Sequence, residues 1–376
     1  MKVEQKKYTL NHGWETTRND NVNASECNLV MAFGSKELLQ SANLYQELKE
    51  SYPNANILMN TTAGEIIDVQ VNDETISLTA VKFEKTQMEI ASTVIGKHEN
   101  SFEAGYSLAK RFNKEGLKNL LVIADGQMVN GSELIKGLQA DFEEGVIITG
   151  GLAGDGTKFS STLVGLNSTP AEGIIAAIGF YGPLTVSYGS IGGWDAFGPE
   201  RLITKSEKNV LFELDGKPAL EVYKKYLGDQ AADLPASGLL YQLSIRTPDT
   251  DSFLVRTILN INEEDNSLIF AGNMPEGNYA RLMIANLDRL IEGSSDAAQQ
   301  SLPDETPQLA LLISCVGRKL VLDQRIEEEV EVVRTVYGNK TAIAGFYSYG
   351  EFSPSLGFAE CQLHNQTMTI TTYREN

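Results

Sequence analysis

Cysteine is scarce in this chain: 376 residues hold three, Cys27, Cys315 and Cys361. They lie too far apart for a disulfide framework or a CxxC knuckle, which points to a reducing compartment. Histidine is equally rare. His12, His98 and His364 share no metal-ligand spacing, and no metal site is expected. CxxCH is absent, which excludes covalent haem, although a single axial histidine leaves no sequence pattern. Positive charge is in deficit, with 31 basic against 50 acidic residues and a net charge of -19. Such a surface repels nucleic acid and anionic membranes, and no basic cluster reverses it. Long apolar runs are missing too. The most apolar stretch, GIIAAIGFYGPLTVSYG (173–189), is interrupted by Gly, Pro and Ser, so no membrane insertion is expected. The N-terminal twenty residues carry no apolar signal core. Together these absences suggest a cytoplasmic location.

What remains is ordinary for a soluble globular protein: 42% hydrophobic and 22% charged residues. The length exceeds one ordinary core and predicts two domains. Strand-like and helix-like segments alternate up to about residue 150, as in NLVMAFGSK, SKELLQSANLYQELKESYP, KNLLVIADG and NGSELIKGLQADFEEG. Glycine-punctuated strands follow, and DQAADLPASG (229–238) reads as a linker. Later, NYARLMIANLDRLIEG (278–293) and LDQRIEEEVEVVRTVY (322–337) read as helices. The expected fold is α/β (α+β), two domains each with a mixed β-sheet flanked by helices. The boundaries are a polar lead-in over 1–24, one domain over 25–228 and a second over 229–376. No short internal repeat is visible.

Two segments carry the chemistry. LALLISCVGRKL (309–320) and TAIAGFYSYGEFSP (341–354) each begin as a buried strand and end in a polar, glycine-bearing tip. Such tips build ligand sites in α/β sheets. Arg318 is placed either to clamp a ligand carboxylate or to pair with Glu351. Strand alternation puts Tyr347, Tyr349 and Glu351 on one face, with Ser348 on the other. Cys315 is either a small buried hydrophobe or, with His364 as base, a nucleophile. TGGLAGDG (149–156) is not a phosphate loop, because a strand-like segment follows and GK[ST] is absent. Its Asp155 suits a ligand ammonium instead.

In order along the chain, LVMAFGS, ANILMNTTAGEI, GGLAGDG, GGWDAFGP, FELDGKPALEVYKKYLG, MPEG, ISCVGR, AGFYSYGEF and LHNQT resemble the FIST family, which joins a FIST N-terminal to a FIST C-terminal domain. The resemblance runs from about residue 25 to the end. It implies a sensor of small ligands such as amino acids, working with histidine kinases or other signalling proteins. Stand-alone members of similar length imply a second possibility, nitric-oxide sensing through haem, for which His364 is the candidate axial ligand. No catalytic residues follow from the resemblance. The expected function is therefore a small-molecule-binding sensor and not an enzyme, with Arg318, Glu351, Tyr347, Tyr349, Ser348, Cys315 and Asp155 around an amino acid or similar carboxylate. A cysteine hydrolase using Cys315 and His364 is the alternative outside sensing.

Overall fold

The computed structural model describes residues 1–41, 43–142, 145–248, 252–354 and 360–376. Three stretches of the chain follow one rule. An apolar strand leads through helix to a second strand lying parallel to it: Leu29–Gly34 beside Asn56–Thr61, Leu117–Ala124 beside Ile147–Leu152, and Leu309–Cys315 beside Ala342–Ser348. Runs such as LLVIA and LALLIS lack polar alternation because both of their faces are covered. Each pair gains a third, antiparallel strand (Ile76–Lys82, Ile174–Tyr181 or Met368–Glu375). Each third strand gains a fourth (Lys2–Thr9, Gln87–Val94 or Leu184–Ile191).

The three units then exchange strands in a ring. Glu65–Ile67, leaving the first unit, pairs with Ala342–Ser348 of the third. Gly350–Pro354, leaving the third, pairs with Ile147–Leu152 of the second. Val164–Leu166, leaving the second, pairs with Asn56–Thr61 of the first. Backbone bonds close the crossings: Ala63 N–H to the Tyr347 carbonyl at 2.8 Å, Gly154 N–H to Thr61 at 3.0 Å, and Tyr349 N–H to Leu152 at 3.2 Å. The three sheets form the sides of a prism. Phe33, Met31, Leu121, Ile123, Ile313 and Phe346 meet in its shared interior. Helices cover the outside, for example through Leu44 and Leu48 on one side and Leu134, Leu138, Val330 and Val333 on the others.

An insert over 195–284 interrupts the third unit between strand Leu184–Ile191 and helix Leu287–Gln300. It has its own antiparallel sheet and its own core, including Leu211, Leu220, Tyr223, Leu268 and Phe270.

The α/β class holds, with mixed sheets flanked by helices, but the details differ from expectation. The two sequence halves contribute strands to the same sheets. A threefold repeat exists in topology and left no repeat in sequence. The polar lead-in is a hairpin, Lys2–Thr9 with Gly13–Asn19, continuing the first sheet. Gly13–Asn19 forms the solvated sheet edge, where polarity is compatible with pairing, and Lys2–Thr9 lies one strand in, with Val3, Glu4 and Gln5 buried. Residues 278–293 are not one helix. Tyr279–Ile284 is a central strand of the insert sheet, and the helix starts only after Asn286, whose side chain accepts from Arg289 N–H. Pairing on both sides outweighs the helix propensity of that segment.

A Cβ on Gly345 would fall inside the carbonyl oxygen of Leu312 on the neighbouring parallel strand. Gly345→Ala should therefore cost about 1–3 kcal/mol or more. Gly96→Ala meets nothing within 4 Å and should leave the melting temperature nearly unchanged. Calorimetry of the two variants separates the outcomes.

Candidate functional site

The two polar tips do not converge on one ligand. After Ser348 the chain leaves one sheet for another, and the alternation that would align Tyr347, Tyr349 and Glu351 breaks there. Each side chain enters a different network. Tyr347 OH donates to Glu329 Oε1 at 2.6 Å. Tyr349 OH donates to Asp155 Oδ1, and its ring stacks on Phe159 with centroids 4.6 Å apart. Glu351 accepts from Ser348 Oγ at 2.7 Å and Thr367 Oγ1 at 2.8 Å. Asp155 also accepts from Ser160 and Ser161 N–H, both at 2.9 Å. Burial alone would raise its pKa, but the bonds from Tyr349, Ser161 and Ser160 together lower it.

Arg318 is the clearest correction. It lies in the short helix Val316–Leu322 and is wholly buried. Its anion is Glu329, at 2.8 Å, and not Glu351. Its terminal nitrogens also donate to the carbonyls of Gly192 at 2.5 Å and Leu290 at 2.7 Å, and to Ser294 Oγ at 2.9 Å. Ser314 and Tyr347 donate to the second Glu329 oxygen. This is a fully bonded buried ion pair, the arrangement in which removing one partner is most costly. Arg318 therefore holds the third unit to the start of the insert and is not poised for an outside carboxylate.

The proposed nucleophile pair is unfit for its task. Cys315 is buried, and burial, reinforced by the Glu351 charge, pushes its thiol up to about 12. His364 is pushed down to about 4, first by burial and further by the positive charge of Arg256, against a hydrogen bond with Ser353. Its Nε2 lies 2.8 Å from the Ser353 carbonyl. The same contact weakens the case for haem, since an axial ligand needs a free ring nitrogen. His98 is engaged by Thr93, and His12 is exposed on the N-terminal hairpin. The residues present fit haem poorly.

The open space lies elsewhere, between prism and insert. A cavity of about 350 Å³ is bounded by Ser190–Trp194, by Ser252–Val255, by one face of helix Leu287–Gln300, and by His364 and Thr367. Glu292 and Asp296 stand four residues apart on that helix face, and neither has an ion-pair partner among the described residues. Arg289, near them, bridges to Asp195 at 2.9 Å. Trp194 and Phe253 supply aromatic walls. Ser190 Oγ is buried with no hydrogen-bond partner among the described residues, which is rare enough to need an explanation. Trp194 is fixed by its indole N–H to the Gln366 carbonyl at 3.1 Å. Of the expected site residues, only His364 reaches this space. Sequence reading passed over Glu292 and Asp296 because two acids at i and i+4 read as a solvated helix face, and both are exposed, at the rim of the cavity. GGW was the visible signal, a Gly-Gly pair leading into one of only two tryptophans.

Comparison with known proteins places residues 28–217 in the FIST N domain and residues 219–354 in the FIST C domain. The division falls inside the structural insert. An uncharacterized protein of Methanocaldococcus jannaschii is 26% identical over 161 residues, which are 40% of this chain and 30% of that protein. The chain thus spans less than a third of that relative's length. A cyanuric acid hydrolase superposes over 95% of this chain and 93% of its own, at 9% identity and a TM-score of 0.33. A likeness that weak carries no argument about fold or activity.

Three outcomes follow. Arg318→Ala should cost about 3–5 kcal/mol, since Glu329 is left buried and unpaired, and denaturant melts measure it. Cys315 should react only slowly with iodoacetamide at neutral pH in the native protein, and mass spectrometry of the alkylated thiols reads the rate. The third outcome concerns pH. Burial pushes Glu351 up to about 8 and Glu65 up to about 7. Between the ordinary carboxyl range and these values the native state holds protons that the unfolded chain releases. The contribution of both groups to stability is therefore complete at pH ~4 and is lost as pH rises toward 8. Glu351→Gln should flatten the fall in melting temperature between pH 5 and 8; an unchanged slope would show that Glu351 does not titrate there.

Proposed function

Because this chain belongs to the FIST family, whose domains are small-ligand sensor modules of signal transduction, we propose that it senses an amino acid or a similar small carboxylate in the cavity between prism and insert. The observation that carries this reading is the cavity itself. It is large enough for such a ligand, it has aromatic walls at Trp194 and Phe253, and it presents two carboxylates without ion-pair partners among the described residues, Glu292 and Asp296. The carboxylates would take an ammonium group, and the rings would take its aliphatic or aromatic remainder. Small-molecule sites join apolar walls to a few placed polar groups in this way.

A ligand held there touches both bodies, so it favours one arrangement of insert against prism to the extent that it binds that arrangement better. The contact is relayed at once to the buried network, because Gly192 lines the cavity and its carbonyl accepts from Arg318. The signal would pass to a partner such as a histidine kinase, in the cytoplasm.

Calorimetric titration with the twenty L-amino acids, each beside the matching 2-hydroxy acid, tests the reading. At least one amino acid should bind, and its hydroxy analogue should bind more weakly. Glu292→Gln with Asp296→Asn should weaken the amino acid by roughly ten- to a hundred-fold, the worth of a charged hydrogen bond. Absence of binding across the panel, or binding indifferent to both substitutions, would sink it. Hemin added to the same sample checks the gas-sensing alternative through the Soret band.

A further inference from the structure

Among the described residues two arginines are buried, and only one has an anion. Arg318 has Glu329. Arg256, at the end of the insert strand Leu254–Arg256, is 4% exposed and forms no ion pair. Its Nε donates to the Asn273 carbonyl at 3.2 Å, and NH1 donates to the carbonyls of Val255 at 3.3 Å and Leu363 at 2.9 Å. NH2 has no acceptor among the described residues. Three carbonyl dipoles satisfy part of a guanidinium but do not neutralise it, and an uncompensated buried charge is among the costliest features a fold can hold.

The position of this charge is informative. Val255 precedes it in the chain, and His364 follows the Leu363 carbonyl that it binds. Both Val255 and His364 line the cavity. Arg256 does not itself line the cavity, but it is one residue from Val255 and bonded beside His364, and its charge helps keep the His364 ring neutral. Burial alone pushes Arg256 down to about 10, with no carboxylate opposing that shift. Asn365, next after His364, is fully buried with neither amide atom partnered among the described residues. In a protein of net charge -19, a buried cation with no anion among the described residues is unusual and asks for a partner.

We propose that Arg256 is the anion-recognising residue of the cavity, and that a small carboxylate passing His364 accepts hydrogen bonds from its NH2. This rests on reading the cavity as the ligand site and gives the ligand's second end a partner. Glu292 and Asp296 lie on the helix side, and Arg256 lies behind the opposite, insert side. A zwitterion spanning the space would connect the two bodies through opposite charges.

Acetate is the probe, because it has the carboxylate and nothing else. In the full-length protein it should raise the melting temperature saturably and shift the ring ¹⁵N resonances of His364, whose protonation should become easier once Arg256 is neutralised. Arg256→Gln should weaken acetate roughly ten- to a hundred-fold, and Arg256→Lys should retain part of the affinity. If Arg256→Gln melts lower yet responds to acetate as the wild type does, Arg256 is only a strap between insert and prism and the proposal fails. If the variant does not fold, the wild-type resonances decide: His364 unmoved at saturating acetate overturns the proposal. Acetate binding that depends on Arg256, combined with no binding by any amino acid, removes the amino-acid reading and leaves this one standing.

Discussion

No sheet of the prism is complete without a strand from another unit. The first borrows from the second, the second from the third, and the third from the first. A closed cycle of this kind cannot be assembled pairwise to completion, because any two units still lack one edge. Edge strands left unpaired invite aggregation, and here the edge that each unit offers its neighbour is covered by the chain itself. The constraint also explains why the family's two domains do not correspond to two separable bodies.

Each crossing takes the chain out of one sheet and into the next, so its polar groups need partners over a few residues of irregular backbone. The same device recurs at each. A glycine followed by an acid makes the turn: Gly64–Glu65, Gly154–Asp155, Gly350–Glu351. The acid then accepts from nearby hydroxyls: Thr62 and Thr75, Ser160 and Tyr349, Ser348 and Thr367. The polar tips that suggest a ligand site in sequence are largely the fastenings of this ring. The cavity arises where the pattern is interrupted, at the insert.

What the sequence reveals depends on the range of the interaction that decides each element. LALLIS and LLVIA read as buried strands because both faces are covered and no alternation competes. Helix Ala219–Leu227 carries local punctuation, with Pro218 before it and Gly228 after it. The strand Tyr279–Ile284 reads as helix because its two neighbours lie about forty and eighty residues upstream. Arg318 reads as a clamp because its anion, Glu329, sits on what looks like a solvated acidic helix start, EEEVEVV. The repeated glycine–acid pair was present in the sequence, but at intervals of about one hundred and two hundred residues with nothing else shared, it resembled chance. Arg256 gave no signal at all. Its meaning lies in what fails to stand beside it, and sequence does not display that.

The insert leaves the prism at Trp194 and returns at Ala285, and its first and last strand residues, Asp195 and Ile284, are paired neighbours. Both ends therefore meet the prism at one doorway. A chain that enters and leaves through one opening can be exchanged for another without disturbing the ring of sheets, because the span to be bridged is that between adjacent strands, about 5 Å. Architecturally, the three-sided body is a chassis and the insert a cartridge. The lining of the cavity can then change in the cartridge and along the doorway, while the pairing that closes the three sheets is left as it is.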